Sequence, residues 1–451
     1  MKKIYFSVHS YNSWQRKTDK CPFHVSLLYL FFTRKKISIM KIIRWIIRII
    51  AGSVFIFSGF VKGIDLSGSA IKFEDYFHAF HLDFLHPLAF PLAFLFPATE
   101  FLIGISLLFS LKPRIGAWGF LLFMSFFTPL TLVLAVFNPV KDCGCFGDAL
   151  ILTNWETFFK NLFLLALALW LFFDRKNLSG LYPSFYQWGL LFFYFLIFAG
   201  LSAYSYRHLP LFDFRPYKTG THIPDKMTVP PDAPQDEYQT TLIYEKNGVR
   251  KEFSTDNFPW QDSTWKFVDQ KSTLIKKGYV PPIHDFSILR QDGMDITDQI
   301  LNDPGYTFLL ISYDLSEANH IGLEKAWRIS VFARDKGYGF YVLTPSGTNE
   351  TNKLMEEGFS FEFCNTDETT CKTIIRSNPG LLLIKEGTIL GKWHYHDIPD
   401  PEVFSGDLLS HQLTVLQKDS NTWLGLLLIL GLLLFAATAR LILPAERLYD
   451  R

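Results

Sequence analysis

Six long apolar stretches constrain this chain more than any other feature of its sequence. They lie at residues 42–61, 85–111, 115–137, 155–173, 185–206 and 423–443. Because an α-helix rises about 1.5 Å per residue, about 20 apolar residues are enough to cross the hydrocarbon core of a bilayer. Charged residues make up only 19% of the chain, whereas they make up about 25% of an average soluble protein. The sequence therefore predicts a membrane protein with an α-helical bundle of six transmembrane helices.

The charge balance excludes some partners. The chain holds 44 basic and 43 acidic residues, for a net charge of +1. Proteins that bind nucleic acid use a surplus of Lys and Arg to neutralise phosphates. This chain has no such surplus, so we expect membrane lipid as a partner and no nucleic acid. Five Cys residues are also too few for a disulfide-dense scaffold.

Basic residues in the short loops predict the orientation of the helices, since Lys and Arg favour the cytoplasmic side. If the six helices alternate in direction, the more basic loops all fall on one side. Their residues are Lys41, Arg44, Arg48, Lys112, Arg114, Arg175, Lys176, Arg440, Arg447 and Arg451. Residues 207–422 then lie on the opposite, periplasmic side. We expect a multi-pass protein of the inner (cytoplasmic) membrane.

Residues 1–39 differ from the rest of the chain. They are rich in Lys and Arg, and their apolar run at residues 23–32 is too short to span a bilayer. A second Met, Met40, stands directly before the first apolar stretch. We expect either that translation begins at Met40 or that residues 1–39 form a basic cytoplasmic arm. Cys21 lies in this leader and has no predicted role.

The periplasmic segment divides into a connector, residues 207–282, and an α/β domain, residues 283–401. In the connector, two short strands flank Asn247-Gly248, a dipeptide typical of a two-residue hairpin turn. In the domain, strands are predicted at residues 307–312, 340–343, 380–385 and 389–394, and a helix at residues 319–336. This is the order of a βαβ unit followed by a hairpin, which predicts a mixed sheet covered by helices.

The sequence Asp-Cys-Gly-Cys-Phe-Gly at residues 142–147 is the sharpest chemical feature, and it falls in the outer loop between helices three and four. Gly144 relaxes the backbone between Cys143 and Cys145, so their sulfurs can approach disulfide geometry. A disulfide in so small a ring should be strained and easily reduced. We favour a catalytic redox pair, with Asp142 and Gly144 in support. A passive disulfide, which would stabilise little, and half of a metal site are the alternatives.

The first four apolar stretches and this loop resemble the MauE branch of the DoxX-like membrane families. The resemblance covers residues 40–173. It includes residues 46–62 (Ile-Ile-Arg-Ile-Ile-Ala-Gly-Ser-Val-Phe-Ile-Phe-Ser-Gly-Phe-Val-Lys) and residues 97–101 (Pro-Ala-Thr-Glu-Phe). It implies a part in methylamine utilisation through disulfide formation in an exported thiol-containing protein. The DoxX relatives imply coupling to a quinone.

Glu100 is a carboxyl group within the second apolar stretch. Such a group is costly in hydrocarbon, so it usually faces the bundle interior and marks a functional site. Glu100 can support thiol or quinone chemistry as a proton relay, paired with Lys62, His78 or His81. It can equally form an interhelical hydrogen bond to a hydroxyl such as Thr128 or Thr131.

Residues 281–401 resemble thioredoxin-like domains of the TlpA type. The resemblance rests on residues 282–286 (Pro-Ile-His-Asp-Phe), on Asp292-Gly293 and on residues 378–380 (Asn-Pro-Gly), which place Pro379 where this fold has a cis-proline. The family's Cys-x-x-Cys is missing, because residues 312–318 read Ser-Tyr-Asp-Leu-Ser-Glu-Ala. We therefore expect a domain that binds a partner or covers the membrane thiols, without thiol chemistry of its own.

Two further groups of residues invite chemical interpretation. Cys364 and Cys371 lie in the α/β domain, and we favour a structural disulfide between them because the compartment is oxidising. His394 and His396 alternate on a predicted strand and would share one face. We favour a solvated strand over a metal site for these histidines, and the sequence predicts no metal.

Two functions of different class follow from these features. The first is an enzyme, a membrane thiol–disulfide oxidoreductase that acts through Cys143 and Cys145 at the outer face. The second is a non-catalytic envelope scaffold with a degenerate thioredoxin-like domain, which the missing Cys-x-x-Cys favours. A transporter, suggested by Glu100 alone, is a weaker third interpretation.

Overall fold

The computed structural model describes residues 23–140, 142–276 and 278–404, together with Leu424, Gly425, Leu428 and Gly431. Its α-helices are α1 (Phe23–Ile64), α2 (Leu66–Ala79), α3 (Ala89–Phe109), α4 (Pro113–Phe137), α5 (Asn154–Phe173), α6 (Ser184–Arg207), α7 (Ile223–Met227), α8 (Thr297–Leu301), α9 (His320–Lys336), α10 (Thr348–Glu356) and α11 (Glu368–Ile374). Its strands are β1 (Glu237–Lys246), β2 (Val249–Ser254), β3 (Lys266–Lys276), β4 (Leu289–Arg290), β5 (Tyr306–Ile311), β6 (Gly339–Thr344), β7 (Phe363–Asn365), β8 (Gly380–Lys385) and β9 (Thr388–His394).

Within this described part of the chain, four helical segments are long and apolar enough to cross a membrane. They are Asp83–Phe109, Pro113–Phe137, Asn154–Phe173 and Ser184–Arg207. The first of them joins a short 3₁₀ helix to α3, where Pro87 and Pro97 interrupt the regular hydrogen bonds. These segments fit a multi-pass membrane protein with a helical membrane domain.

The prediction of six spanning helices is thus confirmed in part. The four segments correspond to the apolar stretches predicted at residues 85–111, 115–137, 155–173 and 185–206. The first stretch, residues 42–61, is helical within α1, which begins inside the predicted leader. Apart from four helical positions, the C-terminal stretch 423–443 lies outside the described residues, as do residues 1–22 with Cys21.

The chain forms two compact units. The first contains the described residues up to Phe60, Phe96–Cys145 and Leu152–Leu196; the second contains Val61–Leu95, Phe146–Ile151 and the described residues from Ile197 onward. The division cuts through α1, α3 and α6, so that residues 61–95, residues 146–151 and the last part of α6 belong to the same unit as the α/β domain. It also falls between Cys145 and Phe146.

In the first unit, small residues let α1 and α3 approach closely. A Cβ atom on Gly59 would lie 2.7 Å from the carbonyl oxygen of Pro97 and from the amide nitrogen of Phe101, and one on Gly104 would lie 2.8 Å from the carbonyl oxygen of Gly52. Close approach through small residues is the usual way in which helices pack in a bilayer, where no hydrophobic force drives association. The pattern of glycines therefore determines which faces of these helices meet.

Arginine side chains stabilise one end of this bundle. Arg48 of α1 donates from Nε and Nη2 to the carbonyl oxygen of Leu107, near the end of α3, at 2.8 and 2.7 Å. Arg44 forms an ion pair with Asp174, directly after α5. The basic residues that predict orientation thus hold the helix ends together as well.

Two sheets lie in the second unit, and the smaller one has the order β2-β1-β3. Asn247 and Gly248 both have positive φ angles, 53° and 78°, so the predicted hairpin of β1 and β2 is confirmed. Strand β3 was not predicted. Its residues are exposed along the whole strand, so it carries no apolar alternation for a sequence pattern to detect.

The larger sheet has the order β4-β7-β6-β5-β8-β9. Strands β5, β6 and β7 are parallel, whereas β8 runs antiparallel to β5 and to β9. The predicted α/β sheet with its central βαβ unit and hairpin is confirmed. Alternate residues of the central strands enter two separate cores: Phe308 and Leu310 pack against α9, while Leu309 and Ile311 pack on the side of α11.

A buried charge cluster ties the segment after α6 to this sheet. Lys392 of β9 donates to the Asp213 carboxylate at 2.8 Å and to the carbonyl oxygen of Tyr217 at 2.9 Å, and Arg215 donates to Asp213 at 2.8 Å. Burial lowers the pKa of Lys392 to about 8, against the opposing effect of Asp213. Burial alone would raise the pKa of Asp213, but Lys392 and Arg215 hold it well below its usual range.

Replacing Lys392 by Met should destabilise this sheet strongly, because Asp213 would lose a cation inside the protein. Breaking a buried ion pair by removing one partner typically costs about 3–5 kcal/mol. We expect hydrogen exchange of the β8 and β9 amides in the full-length protein to accelerate accordingly. Lys353→Met, at an exposed site on α10, is the matched control and should change stability by less than about 0.5 kcal/mol. Unchanged protection of β9 in Lys392→Met would contradict this account.

Candidate functional site

Hydrogen bonds join the two ends of the loop that carries the two cysteines, where the loop connects α4 to α5. Helix α4 ends at Asn138, which has a positive φ of 49°. Helix α5 begins with a capping box between Thr153 and Glu156. The Asn154 amide donates to the Asn138 side-chain oxygen at 2.7 Å and to the carbonyl oxygen of Val140 at 2.9 Å. These two bonds fix where the loop starts and where it ends.

The sulfur atoms of Cys143 and Cys145 lie 2.9 Å apart. Gly144 between them has a φ of +62°, which a glycine adopts without strain, and its amide donates to the Asp142 carboxylate at 2.9 Å. The Ser58 hydroxyl of α1 donates to the carbonyl oxygen of Cys145 at 2.6 Å. Cys143 is buried and Cys145 is half-buried, so this loop presents one sulfur more openly than the other.

A column of polar side chains continues from this loop between α4 and α5. The Asn161 amide donates to the Thr131 hydroxyl at 3.3 Å, and the Thr128 hydroxyl donates to the carbonyl oxygen of Asn161 at 3.4 Å. Asn154, Thr157 and Asn161 follow one face of α5. The Thr157 hydroxyl and the Asn154 side-chain oxygen are buried and have no hydrogen-bond partner among the described residues. The column therefore contains a buried donor and a buried acceptor that no described residue satisfies.

Glu100 lies on α3 and is only 5% exposed. One turn earlier on this helix, Phe96 packs edge to face on Phe127 of α4 at 5.7 Å, so this face of α3 is turned toward α4. The Thr131 hydroxyl donates to the carbonyl oxygens of Phe127 and Thr128. The supporting role predicted for Glu100 stays a prediction.

In the second unit, hydrogen bonds join the segment after β5, where the sequence has no Cys-x-x-Cys, to the loop before β8. The Ser312 hydroxyl donates to the Asn378 side-chain oxygen at 2.6 Å, and the Asn378 amide donates to the carbonyl oxygen of Asp314 at 2.7 Å. The Asn319 amide at the start of α9 donates to the carbonyl oxygen of Asn378 at 3.0 Å. The peptide bond between Asn378 and Pro379 is cis. Hydrogen bonds thus join residues 312–319 to the Pro379 loop.

Arg376 lies two residues before Asn378 and belongs to an ion-pair cluster. Its Nε lies 3.1 and 3.2 Å from the two Asp65 oxygens, and its Nη2 lies 3.0 Å from the Asp148 carboxylate. Its Nη1 donates to the carbonyl oxygen of Lys372 at 2.7 Å. Burial by itself would lower the pKa of Arg376, but Asp65 and Asp148 raise it above its ordinary value.

Cys364 and Cys371 are both buried in one core, where they are thiols. Burial raises the pKa of Cys364 to about 11 and that of Cys371 further. The Cys371 sulfur donates weakly to the carbonyl oxygen of Leu343 at 3.9 Å. Thiols of this kind are unreactive. The structure does not contain the disulfide predicted between them, which stays a prediction for the oxidised protein.

Strand β9 ends at His394, so His396 lies beyond it, but the two imidazole rings stack with their centroids 5.1 Å apart. His394 is buried and His396 is exposed. The His396 amide donates to Nδ1 of His394 at 3.3 Å, which requires a neutral ring. Burial, with His396 and His208, lowers the pKa of His394 to about 4. Among the described residues no group of His, Cys, Asp and Glu has the arrangement of a metal site.

Comparison with known families supports the prediction that the helical part is a membrane domain. Residues 40–174 match the model of a family described as methylamine utilisation protein MauE. This segment is therefore similar to MauE-type membrane domains. Residues 238–277 match a domain of unknown function, DUF8463, and they coincide with the three-stranded sheet. No curated protein and no solved structure matches the chain.

Several residues of the segment that matches the MauE model were missed by sequence reasoning. Ser58 and Asn154 position the cysteine loop, and Thr157 contributes to the polar column. The sequence signal that could have identified them is a polar side chain within or at the edge of an apolar stretch, which all three residues have. Polarity alone marked them as unusual but did not show which loop they contact.

Acidification should destabilise the second unit through His394. An unfolded His titrates near pH 6.5, whereas in the folded protein its pKa is about 4. The unfolded chain therefore binds more protons between these values, so stability is full above about pH 6.5 and falls as the pH decreases toward 4. Thermal unfolding measured across this range should show the loss in the native protein and a smaller loss in His394→Gln. His320→Gln, at an exposed site on α9, should retain the native pH dependence; equal slopes in all three proteins would contradict the assignment.

Proposed function

We propose that this protein is a membrane thiol–disulfide oxidoreductase, with Cys143 and Cys145 as its exchanging pair. One observation carries the proposal: the two sulfur atoms lie 2.9 Å apart on a glycine-centred loop. Ser58 and Asn154 hold that loop in place through its backbone carbonyls. A movement of roughly 1 Å brings the sulfurs to the covalent distance of about 2.05 Å. The pair is therefore built to alternate between dithiol and disulfide.

The reaction transfers two electrons from a substrate dithiol to the Cys143–Cys145 disulfide. A substrate thiolate attacks one of the two sulfurs, the bond between Cys143 and Cys145 breaks, and a mixed disulfide forms while the other cysteine leaves as a thiolate. The second substrate thiol then attacks the mixed disulfide. The substrate is oxidised to a disulfide, and the pair is reduced to a dithiol.

Renewal of the disulfide needs an oxidant, and we propose a membrane quinone. When bound, a quinone would supply the oxidant, since it would take up the two electrons and two protons that the dithiol loses on forming the disulfide. The polar column suits such a headgroup, because the Thr157 hydroxyl can donate to a carbonyl and the Asn154 oxygen can accept from a hydroxyl. Both atoms lie on α5, which begins at the end of the cysteine loop.

The cysteine loop lies on the periplasmic side in this proposal. Arg44 and Arg48 mark one end of the bundle, and basic residues favour the cytoplasm. The loop joins the opposite ends of α4 and α5, so its sulfurs face the compartment in which disulfides persist. The substrates are exported proteins with thiols. The name MauE refers to methylamine utilisation, and here we propose a protein dithiol as the substrate.

We further propose that the larger sheet is a thioredoxin-like module that binds partners without thiol chemistry. Its parallel β5 and β6 followed by antiparallel β8 and β9 match that topology, and Pro379 precedes β8. Residues 312–318 hold no thiol. This absence also favours the second candidate, a scaffold in which the helical part serves only as an anchor.

Trapping separates the oxidoreductase from the scaffold. With Cys143 or Cys145 replaced by Ala, in a Cys21→Ser background, the remaining thiol can attack the disulfide of an oxidised exported protein, which is the reverse of the proposed reaction. No second cysteine is then left to resolve the mixed disulfide. We expect one of the two variants to accumulate a disulfide-linked exported protein that reductant releases, detected by non-reducing electrophoresis. Exchange requires an accessible sulfur, so the more exposed Cys145 should trap more.

The buried cysteines provide the matched control. Cys364→Ala/Cys371→Ala should leave trapping unchanged, because both thiols are buried and unreactive. Two results together would favour the scaffold over the oxidoreductase. Neither single variant would capture a protein, and the double variant Cys143→Ser/Cys145→Ser would retain the full activity of the native protein.

The quinone proposal predicts a specific effect at Thr157. Thr157→Val keeps the shape of the side chain and removes its hydroxyl, so quinone-dependent reoxidation of the Cys143/Cys145 dithiol in vesicles should slow about tenfold, equivalent to about 1.4 kcal/mol. Thr157→Ser retains the hydroxyl and should remain near the native rate. Reoxidation that is equally fast in Thr157→Val, or that proceeds without quinone, would refute this site.

A further inference from the structure

Asp148 connects the cysteine loop to the second compact unit. It lies three residues after Cys145, in the short 3₁₀ turn Gly147–Ala149. The boundary between the two units falls between Cys145 and Phe146, so Asp148 belongs to the unit that contains the larger sheet. The backbone that leaves the sulfur pair therefore enters, within three residues, a segment fixed by contacts of another unit.

Arg376 is the residue that fixes Asp148. Its side chain is only 10% exposed, and its guanidinium bonds Asp148 on one edge while it bonds Asp65 on another. Burial raises the pKa of Asp148, and the Arg376 charge opposes that rise. Two carboxylates facing one buried guanidinium compensate its charge, so that loss of either contact leaves a buried charge less well paired.

The surroundings of Arg376 are shaped for this contact. Asp65 caps α2 by accepting from the Gly68 amide at 2.9 Å. A Cβ atom on Gly68 would lie 2.3 Å from an Asp65 carboxylate oxygen and 2.7 Å from Nη2 of Arg376. Only glycine leaves room for the guanidinium there. Helix α2, the Asp148 turn and the loop before Pro379 thus converge on one side chain.

We infer that Arg376 is a positioning residue for the Cys143–Cys145 pair and acts through Asp148. The inference rests on the proposed function. Closing the disulfide restricts the loop, and that restriction is less costly when one limb of the loop is already held. Without the Arg376–Asp148 contact, the loop of the dithiol form has more conformations. Closing the disulfide then costs more conformational entropy, and the dithiol–disulfide equilibrium shifts toward the dithiol. Arg376 and Asp148 thereby influence the redox pair through the backbone that follows Cys145.

Redox titration of the full-length protein in vesicles tests this role. The fraction of Cys143 and Cys145 protected from alkylation is measured in buffers of graded thiol–disulfide ratio. We expect Arg376→Gln and Asp148→Asn each to lower the equilibrium constant for forming the disulfide about tenfold, which for a two-electron couple is about 30 mV. The double variant should show no further shift, because both changes remove one contact. Arg376→Lys retains a positive charge at this position, so its equilibrium constant should lie between those of the native protein and Arg376→Gln.

Arg290→Gln is the matched control, since Arg290 pairs with Glu362 and not with Asp148. It should leave the midpoint at the native value. If Arg376→Gln lowers the melting temperature strongly, the redox equilibrium of Asp148→Asn decides the test. Asp148 is partly exposed, so its replacement should destabilise the fold less.

The outcomes distinguish this inference from the function on which it rests. A native protein whose two sulfurs show no reversible transition refutes the oxidoreductase itself. A reversible native transition that neither Arg376→Gln nor Asp148→Asn shifts overturns the positioning role and leaves the oxidoreductase standing. Additive shifts in the double variant also overturn it, since they would mean that the two residues act independently.

Discussion

A polar group inside an apolar bundle must find a partner, and the architecture of the membrane domain depends on how a few side chains meet that requirement. Arg48 binds the carbonyl oxygen of Leu107 at one end, while Ser58 and Asn154 bind loop carbonyls at the other. Each contact joins a helix to a segment that is distant in the chain. The cysteine loop consequently has a defined shape although it contains little regular structure.

In the second unit, buried charged side chains find their partners in ion pairs. Asp213 is compensated by Arg215 and Lys392, and Arg376 by two carboxylates. Buried ion pairs add little net stability, because desolvation offsets most of the attraction. They do, however, penalise every arrangement in which a partner is missing. This explains why charged clusters occupy the points where separate chain segments join the sheet.

Local patterns predicted much of the fold. Hydropathy located the apolar helices, Asn247-Gly248 located the hairpin, and apolar runs located the central strands. The exposed strand β3 was missed because its residues face solvent along their whole length. At the candidate site, the spacing of Cys143 and Cys145 was enough to single out the pair. The residues that hold the pair were missed. The two histidines predicted to lie together do stack, although β9 ends at His394 and His396 follows it.

Properties that depend on residues a few positions apart can be read from the order of the amino acids. Here they include which segments are apolar enough to enter a membrane, where the chain turns, and that two sulfurs lie within reach of each other. The contact of Ser58 with Cys145 spans 87 positions, and that of Arg376 with Asp148 spans 228. These contacts arise only in the folded chain, because a serine or an arginine has many polar partners to choose from and packing selects one by bringing distant segments together.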